Sequence, residues 1–117
     1  MDKLKIKNFG PISFGFLESS DGYFEINNVS IFIGNQGTGK STVAKIYSTF
    51  VWLEKALVQN RYKKEDWTFE EFQNLCENQR IPKSYFTTKT ELGYKGKSYS
   101  VELNGSFKLH AEMARGV

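Results

Sequence analysis

Val29-Ser30-Ile31-Phe32-Ile33-Gly34-Asn35-Gln36-Gly37-Thr38-Gly39-Lys40-Ser41-Thr42 is the stretch whose reading decides the fold. Val29 to Ile33 is nearly continuous in β-branched and aromatic side chains and stops at a glycine, as a strand buried on both faces and central in its sheet does. Gly34 to Ser41 then follows the phosphate-loop spacing of Gly, four residues, Gly, Lys and Ser or Thr. Average residue frequencies produce that bare spacing in about one chain per hundred of this length. An apolar strand before it and a helical pattern after it are the context the spacing requires. They weigh against the plainer reading of a glycine-rich turn without a ligand.

The spacing has a physical reason. Glycine lets the backbone curl so that successive N–H groups converge on phosphate oxygens, and the following helix adds the partial positive charge of its N-terminus. On this reading Gly34, Asn35, Gln36, Gly37, Thr38 and Gly39 form the cradle. Lys40 brings a point charge to the β- and γ-phosphates and is the one candidate catalytic residue. The Ser41 hydroxyl is placed to ligate magnesium, and Thr42 offers its N–H and hydroxyl on the α-phosphate side. The cofactors expected are therefore ATP and Mg2+.

Outward from this stretch, Leu4 and Ile6 alternate with Lys3, Lys5 and Lys7 at the two-residue period of a half-buried strand, up to Gly10-Pro11. A second alternation runs from Ile12 to Leu17, and after the turn cluster Ser19 to Gly22 the segment Tyr23 to Ile26 returns as a hairpin partner. An antiparallel β element at the N-terminus is predicted. C-terminal to the glycines, Val43, Tyr47, Phe50, Val51, Leu57 and Val58 mark a helix from about Gly39 to Asn60.

Beyond a polar connector over Arg61 to Asp66, Thr68 and Glu71 form a capping box, and Trp67 and Phe72 occupy the positions of a hydrophobic staple. They predict a short helix from Phe69 to about Gln79, which Pro82 stops. Thr87 to Tyr94, Lys97 to Leu103 and Ser106 to about Glu112 read as a three-stranded meander with joints at Lys95-Gly96 and Asn104-Gly105. A two-residue turn at the second joint would place the apolar residues of its strands on opposite faces. A bulged three-residue loop, Leu103 to Gly105, is preferred, because it pairs Val101 with Phe107 and Tyr99 with Leu109. The fold class expected is mixed α/β, with N-terminal antiparallel strands, a buried strand and helix around the phosphate loop, a short helix and a C-terminal meander: part of a P-loop NTPase fold.

Composition bounds the rest. The 117 residues are 39% hydrophobic and 25% charged, in the range of a folded domain and too few for two independent cores. A net charge of +3 argues for no particular polyanion. No apolar run approaches the ~20 residues that span a bilayer, and the Lys-rich start is no signal peptide, so no membrane contact is expected. A single cysteine, Cys76, forms no internal disulfide and suits a reducing compartment, the cytoplasm.

Leu4-Lys5-Ile6-Lys7-Asn8-Phe9-Gly10-Pro11-Ile12, taken with Ile31 to Thr42, resembles the N-terminal lobe of ABC-type ATPase heads of the RecF, SMC and OLD kind, an opening shared by bacterial AAA family ATPases of genome maintenance and phage defence. The resemblance covers residues 1 to 58. It implies ATP and magnesium held between two protomers of a homodimer, with hydrolysis coupled to DNA or to an effector nuclease. It implies phosphate contacts for Gly37, Gly39, Lys40, Ser41 and Thr42, and a place near the nucleotide for Lys7, Asn8 and Phe9. One departure is visible: Asn35-Gln36 stands where the usual loop has Pro or Glu and then Asn-Gly.

Such heads also need an apolar strand ending in Asp-Glu and a serine-rich signature, and neither follows Ser41 here. Phe50 to Glu54 ends an apolar run in a carboxylate but falls within the helical period, so Glu54 reads as a solvated helix residue. Glu102 lies on an alternating strand that turns back at a hairpin. The chain is therefore expected to be one N-terminal lobe of a longer ATPase, inactive alone and completed by the remainder of the head. Residues 1 to 60 would carry the phosphate loop, and 61 to 117 a family-specific insertion; a native stop codon after Val117 would refute this. The alternative is a nonenzymatic module that binds nucleotide or anion to order an interaction surface. A P-loop kinase or GTPase would need an acceptor site or guanine-reading residues that the chain does not show.

Weaker signals take their plain readings. Arg61 to Lys64 is a solvated charge cluster that could touch phosphate backbone. His110 lacks ligand partners at metal spacing, and Cys76 suits packing better than nucleophilic attack. Trp67, Tyr85 and Phe86 could stack on a base but fit a core better.

Overall fold

The structure, a computed structural model, describes residues 2–12, 23–25, 37–59, 67–104 and 109–113. Within these, strands β1 (Lys3–Lys7) and β2 (Tyr23–Glu25) precede helix α1 (Gly37–Val58) and helix α2 (Phe69–Asn78). A single 3-10 turn (Lys83–Tyr85) leads into strands β3 (Glu91–Lys95), β4 (Tyr99–Leu103) and β5 (Leu109–Met113). The architecture is mixed α and β, with one antiparallel sheet in the order β2-β1-β3-β4-β5. The expected central strand Val29–Ile33, the second alternation beyond Ile12, the Arg61–Asp66 connector and the residues from Gly34 to Gln36 lie outside the described residues.

Alternation builds the sheet face by face. Leu4, Tyr94, Val101 and Ala111 stand opposite one another across β1, β3, β4 and β5, and Ile6, Leu92, Leu103 and Leu109 form the next rung. All but Leu109 are buried. The other face carries Lys3, Lys5, Lys7, Glu91, Glu102, His110 and Glu112, where Lys5 Nζ lies 3.1 Å from Glu91. Here Tyr23 lies across Gly93, donates from its hydroxyl to Glu102 Oε1 at 3.1 Å and receives Lys95 Nζ 4.2 Å from its ring centre. A Cβ on residue 93 would stand 2.2 Å from the Tyr23 hydroxyl, so only glycine leaves room for the ring.

Helix α1 lies against the apolar face. Its buried stripe is Val43, Ile46, Phe50, Leu53 and Leu57, at alternating spacings of three and four. The stripe expected from sequence differs: Val58 is exposed and Tyr47 and Val51 flank the core, while Ile46 and Leu53, which complete the same period, are wholly buried. An aromatic run ties helix to sheet and to the second half of the chain: Phe50 stacks on Tyr94 with centroids 5.4 Å apart, Phe72 packs 5.2 Å from Phe50, and Phe86 bridges Phe72 and Phe9.

Helix α2 begins where the capping box places it. The Thr68 hydroxyl accepts from Glu71 N at 3.2 Å, Trp67 and Phe72 are buried, and Gln79 is the C-cap. Arg80 then turns left-handed, with φ of 63°, and buried Ile81 and Pro82 lead into the 3-10 turn.

Three strand boundaries differ from expectation. Thr87 to Thr90 is a turn rather than strand, because the Thr90 hydroxyl accepts from Thr87 N at 2.9 Å while Thr90 N donates to Thr87 O at 3.1 Å. The tip of the β3–β4 hairpin lies at Lys97-Ser98, closed by Gly96 N donating to Tyr99 O. In the β4–β5 pair Leu103 faces Leu109 and Val101 faces Ala111, so the bulged three-residue loop is corrected to a longer connection. The slip is by an even number of residues, which keeps every side chain on its expected face. It also lets all of β4 pair, whereas Tyr99 opposite Leu109 would carry Ala111 and Met113 past the start of β4.

Candidate functional site at the start of helix α1

Helix α1 starts at Gly37, two residues before the expected Gly39, so that Gly37, Thr38, Gly39 and Lys40 make its first turn. Two glycines in a first turn each sacrifice about 1 kcal/mol of helix propensity relative to alanine. Such residues suit a place where backbone must come close to a ligand. The first four N–H groups of any helix lack intrahelical acceptors, and this helix has no acidic side chain in its first turn to offset its positive end. Lys55 in the last turn complements the negative end. Ser41 is exposed, whereas Thr42 is 3% exposed; of the two hydroxyl residues expected from sequence to meet a ligand, Ser41 is the one at the surface.

The helix is held in azimuth and along its axis by a polar network that sequence reading missed. Tyr47 Oη donates to Asp2 Oδ2 at 2.7 Å. Tyr94 Oη lies 2.7 Å from Glu54 Oε1 and 3.3 Å from the same Asp2 oxygen. Glu54 Oε2 accepts from Ser98 N at 2.8 Å and Tyr99 N at 3.0 Å, closing the β3–β4 turn with a side chain from α1. Glu54 is therefore not the solvated residue expected from its helical period: it is a partly buried acceptor for one hydroxyl and two backbone donors. Burial, then the bond to Asp2 and the nearby carboxylates, push the Tyr47 hydroxyl up to about 12. Burial and the bond to Glu54 raise Tyr94 further. The available signal was spacing, since Tyr47, Val51 and Glu54 line one flank of α1 beside its apolar stripe.

The Lys7-Asn8-Phe9 segment divides. Lys7 Nζ lies 3.8 Å from Glu91 on the polar face. Asn8 takes a left-handed conformation with φ of 52°, donates from Nδ2 to Lys89 O at 3.2 Å, and its carbonyl accepts from the Thr90 hydroxyl. Phe9 is wholly buried, edge-on to Tyr85 and Phe86 at 5.5 and 5.0 Å, so its ring has no face for a base. Trp67 and Phe86 are likewise core residues, and Tyr85 packs against that core while filling the space beside left-handed Gly10.

Cys76 is wholly buried, and burial pushes its thiol up to about 12, which leaves a packing residue rather than a nucleophile. Glu102 sits exposed on a strand paired antiparallel on both sides, the geometry of a hairpin and not of a buried strand ending in a metal-binding carboxylate. Among the described residues no group of three or more His, Cys, Asp and Glu could hold a metal ion, and no helix is long and apolar enough to cross a membrane. The chain matches no family model, no curated protein and no solved structure.

Proposed function

We propose that the chain binds Mg-ATP through Gly34 to Thr42 and is the N-terminal lobe of an ABC-type P-loop ATPase. The observation that carries this is that a complete phosphate-loop spacing runs directly into the first turn of α1, whose N-terminal donors face no acidic residue of their own. Backbone N–H groups of Gly37, Thr38 and Gly39 would meet phosphate oxygens, Lys40 would neutralise the β- and γ-phosphates, and exposed Ser41 would reach the magnesium. Turnover belongs to the longer protein, in a cytoplasmic homodimer that acts in DNA maintenance or phage defence, with DNA or a nuclease as its partner.

Calorimetric titration with magnesium and a slowly hydrolysed ATP analogue tests the reading. Saturable binding is expected, weakened about tenfold to a hundredfold in Lys40→Ala, the loss of one charged contact to phosphate. A folded parent that binds no nucleotide overturns it. Saturable binding by this chain, with no ATP turnover by the full-length protein that Lys40→Ala abolishes, would favour the nonenzymatic binding module.

A further inference from the structure

Strand β5 is the outermost strand of the sheet, and among the described residues nothing pairs with its free edge. Natural edge strands are guarded by lysine, proline, bulges, inward-pointing charges or extreme shortness. Leu109-His110-Ala111-Glu112-Met113 has neither lysine nor proline and carries a single acidic residue: it is five residues long, pairs with β4 in unbroken register, and turns Leu109, Ala111 and Met113 toward the apolar side. The opposite edge, β2, has only three residues. Met113 is one of the large hydrophobic residues left exposed, at 50%.

The strand is complementary to itself. Turned antiparallel about Ala111, it sets each His110 opposite a Glu112 and each Leu109 opposite a Met113, and matches all five residues. A register centred on His110 or on Glu112 sets like residues face to face, and an odd shift puts apolar side chains on the polar side. The His110 and Glu112 side chains lie 4.0 Å apart along their own strand and are 71% and 70% exposed on the open face, so pairing across the axis exchanges this exposed contact for two between copies. We propose that two copies of this chain pair their β5 strands antiparallel about Ala111, extending the sheet across a two-fold axis. Because the described residues of each copy present one such edge, and a two-fold pairing uses that edge in both copies, the assembly closes at two. This proposal does not depend on the phosphate-loop reading.

Sedimentation velocity of the 117-residue chain over a concentration series tests it, beside His110→Glu, Glu112→Lys and the double charge-swapped variant. The parent dimerises. His110→Glu sets two pairs of carboxylates face to face across the axis and raises the dissociation constant about tenfold or more, Glu112→Lys takes away the carboxylate that faces each His110 and raises it as well, and the double variant restores it to within about threefold. Backbone amide exchange of the parent at Leu109 to Met113 slows as concentration rises, a readout that needs no variant. A parent monomeric throughout, a dimer indifferent to both single variants, or a double variant as weak as the singles overturns the proposal. A dimer that forms only with Mg-nucleotide and vanishes in Lys40→Ala assigns association to the phosphate loop and overturns it equally.

Discussion

At the scale of single residues, Glu54 carries more of the structure than its place in a helix suggests. Its two oxygens serve the Tyr94 hydroxyl and the Ser98 and Tyr99 amides. Glu54→Ala leaves these donors facing a low-polarity gap and is expected to lower stability by about 3 kcal/mol in urea unfolding, with Glu54→Gln, which keeps an acceptor oxygen, losing less than half of that. A loss within about 0.5 kcal/mol of parent for Glu54→Ala would show that water replaces the carboxylate. Gly93 is the second such position. Gly93→Ala forces the Tyr23 ring off the sheet and is expected to destabilise by about 1–3 kcal/mol, and the penalty should shrink in a Tyr23→Ala background, where the obstructing ring is gone. Equal penalties in both backgrounds would locate the strain elsewhere.

At the scale of elements, the contact between α1 and the sheet combines an apolar stripe with a tyrosine-carboxylate network. The network carries a pH signature. Tyr47 and Cys76 are each raised to about 12 and Tyr94 is raised as well, so each stays protonated in the fold at a pH where the unfolded chain has begun to ionise. Above the ordinary cysteine and tyrosine values, near 9 and 10, the unfolded chain therefore holds fewer protons than the folded one, and stability falls as pH rises toward 12. Urea midpoints are expected to be level in these groups up to about pH 8.5 and to decline above it. Tyr47→Phe should flatten part of the decline; an unchanged slope would remove Tyr47 from the account. The register of β4 and β5 belongs to this scale too. Alternation specified which face each residue takes and left the slip between strands open in steps of two. The length of β4 available for pairing selects among those steps, and a loop reading taken from Asn104-Gly105 alone does not contain that length.

At the scale of the whole molecule, the two halves of the chain share one sheet and one core. β1 lies between β2 and β3, so a strand from the first half is hydrogen-bonded along its length to a strand from the second. Tyr94, Phe72 and Phe86 interleave with Phe50, Leu4 and Phe9 in a single cluster. Residues 1 to 60 expressed alone lose β3 and half of that cluster and are expected to be unfolded, shown by collapsed amide proton dispersion and the absence of a cooperative melt. A folded 1-to-60 fragment would establish the second half as a separable insertion. The reading from sequence treated the N-terminal strands and the C-terminal meander as two elements because no local pattern records which strand pairs with which when more than eighty residues separate them, as for Asn8 and Thr90.

Local physics alone determined the placement of α1 and α2, the capping of α2 by Thr68, the alternation of β1 and the phosphate-loop spacing at Gly34 to Ser41. Each depends on interactions within a few residues, where backbone preference and periodicity act directly. Only the tertiary structure decided the merger of two β elements into one sheet, the burial of Phe9, the conversion of Thr87 to Thr90 from strand to turn, and the role of Glu54. These depend on what the fold brings alongside: a carboxylate on a helix is solvated or structural according to whether unpaired N–H groups arrive beside it, and Ser98 and Tyr99 arrive from across the sheet.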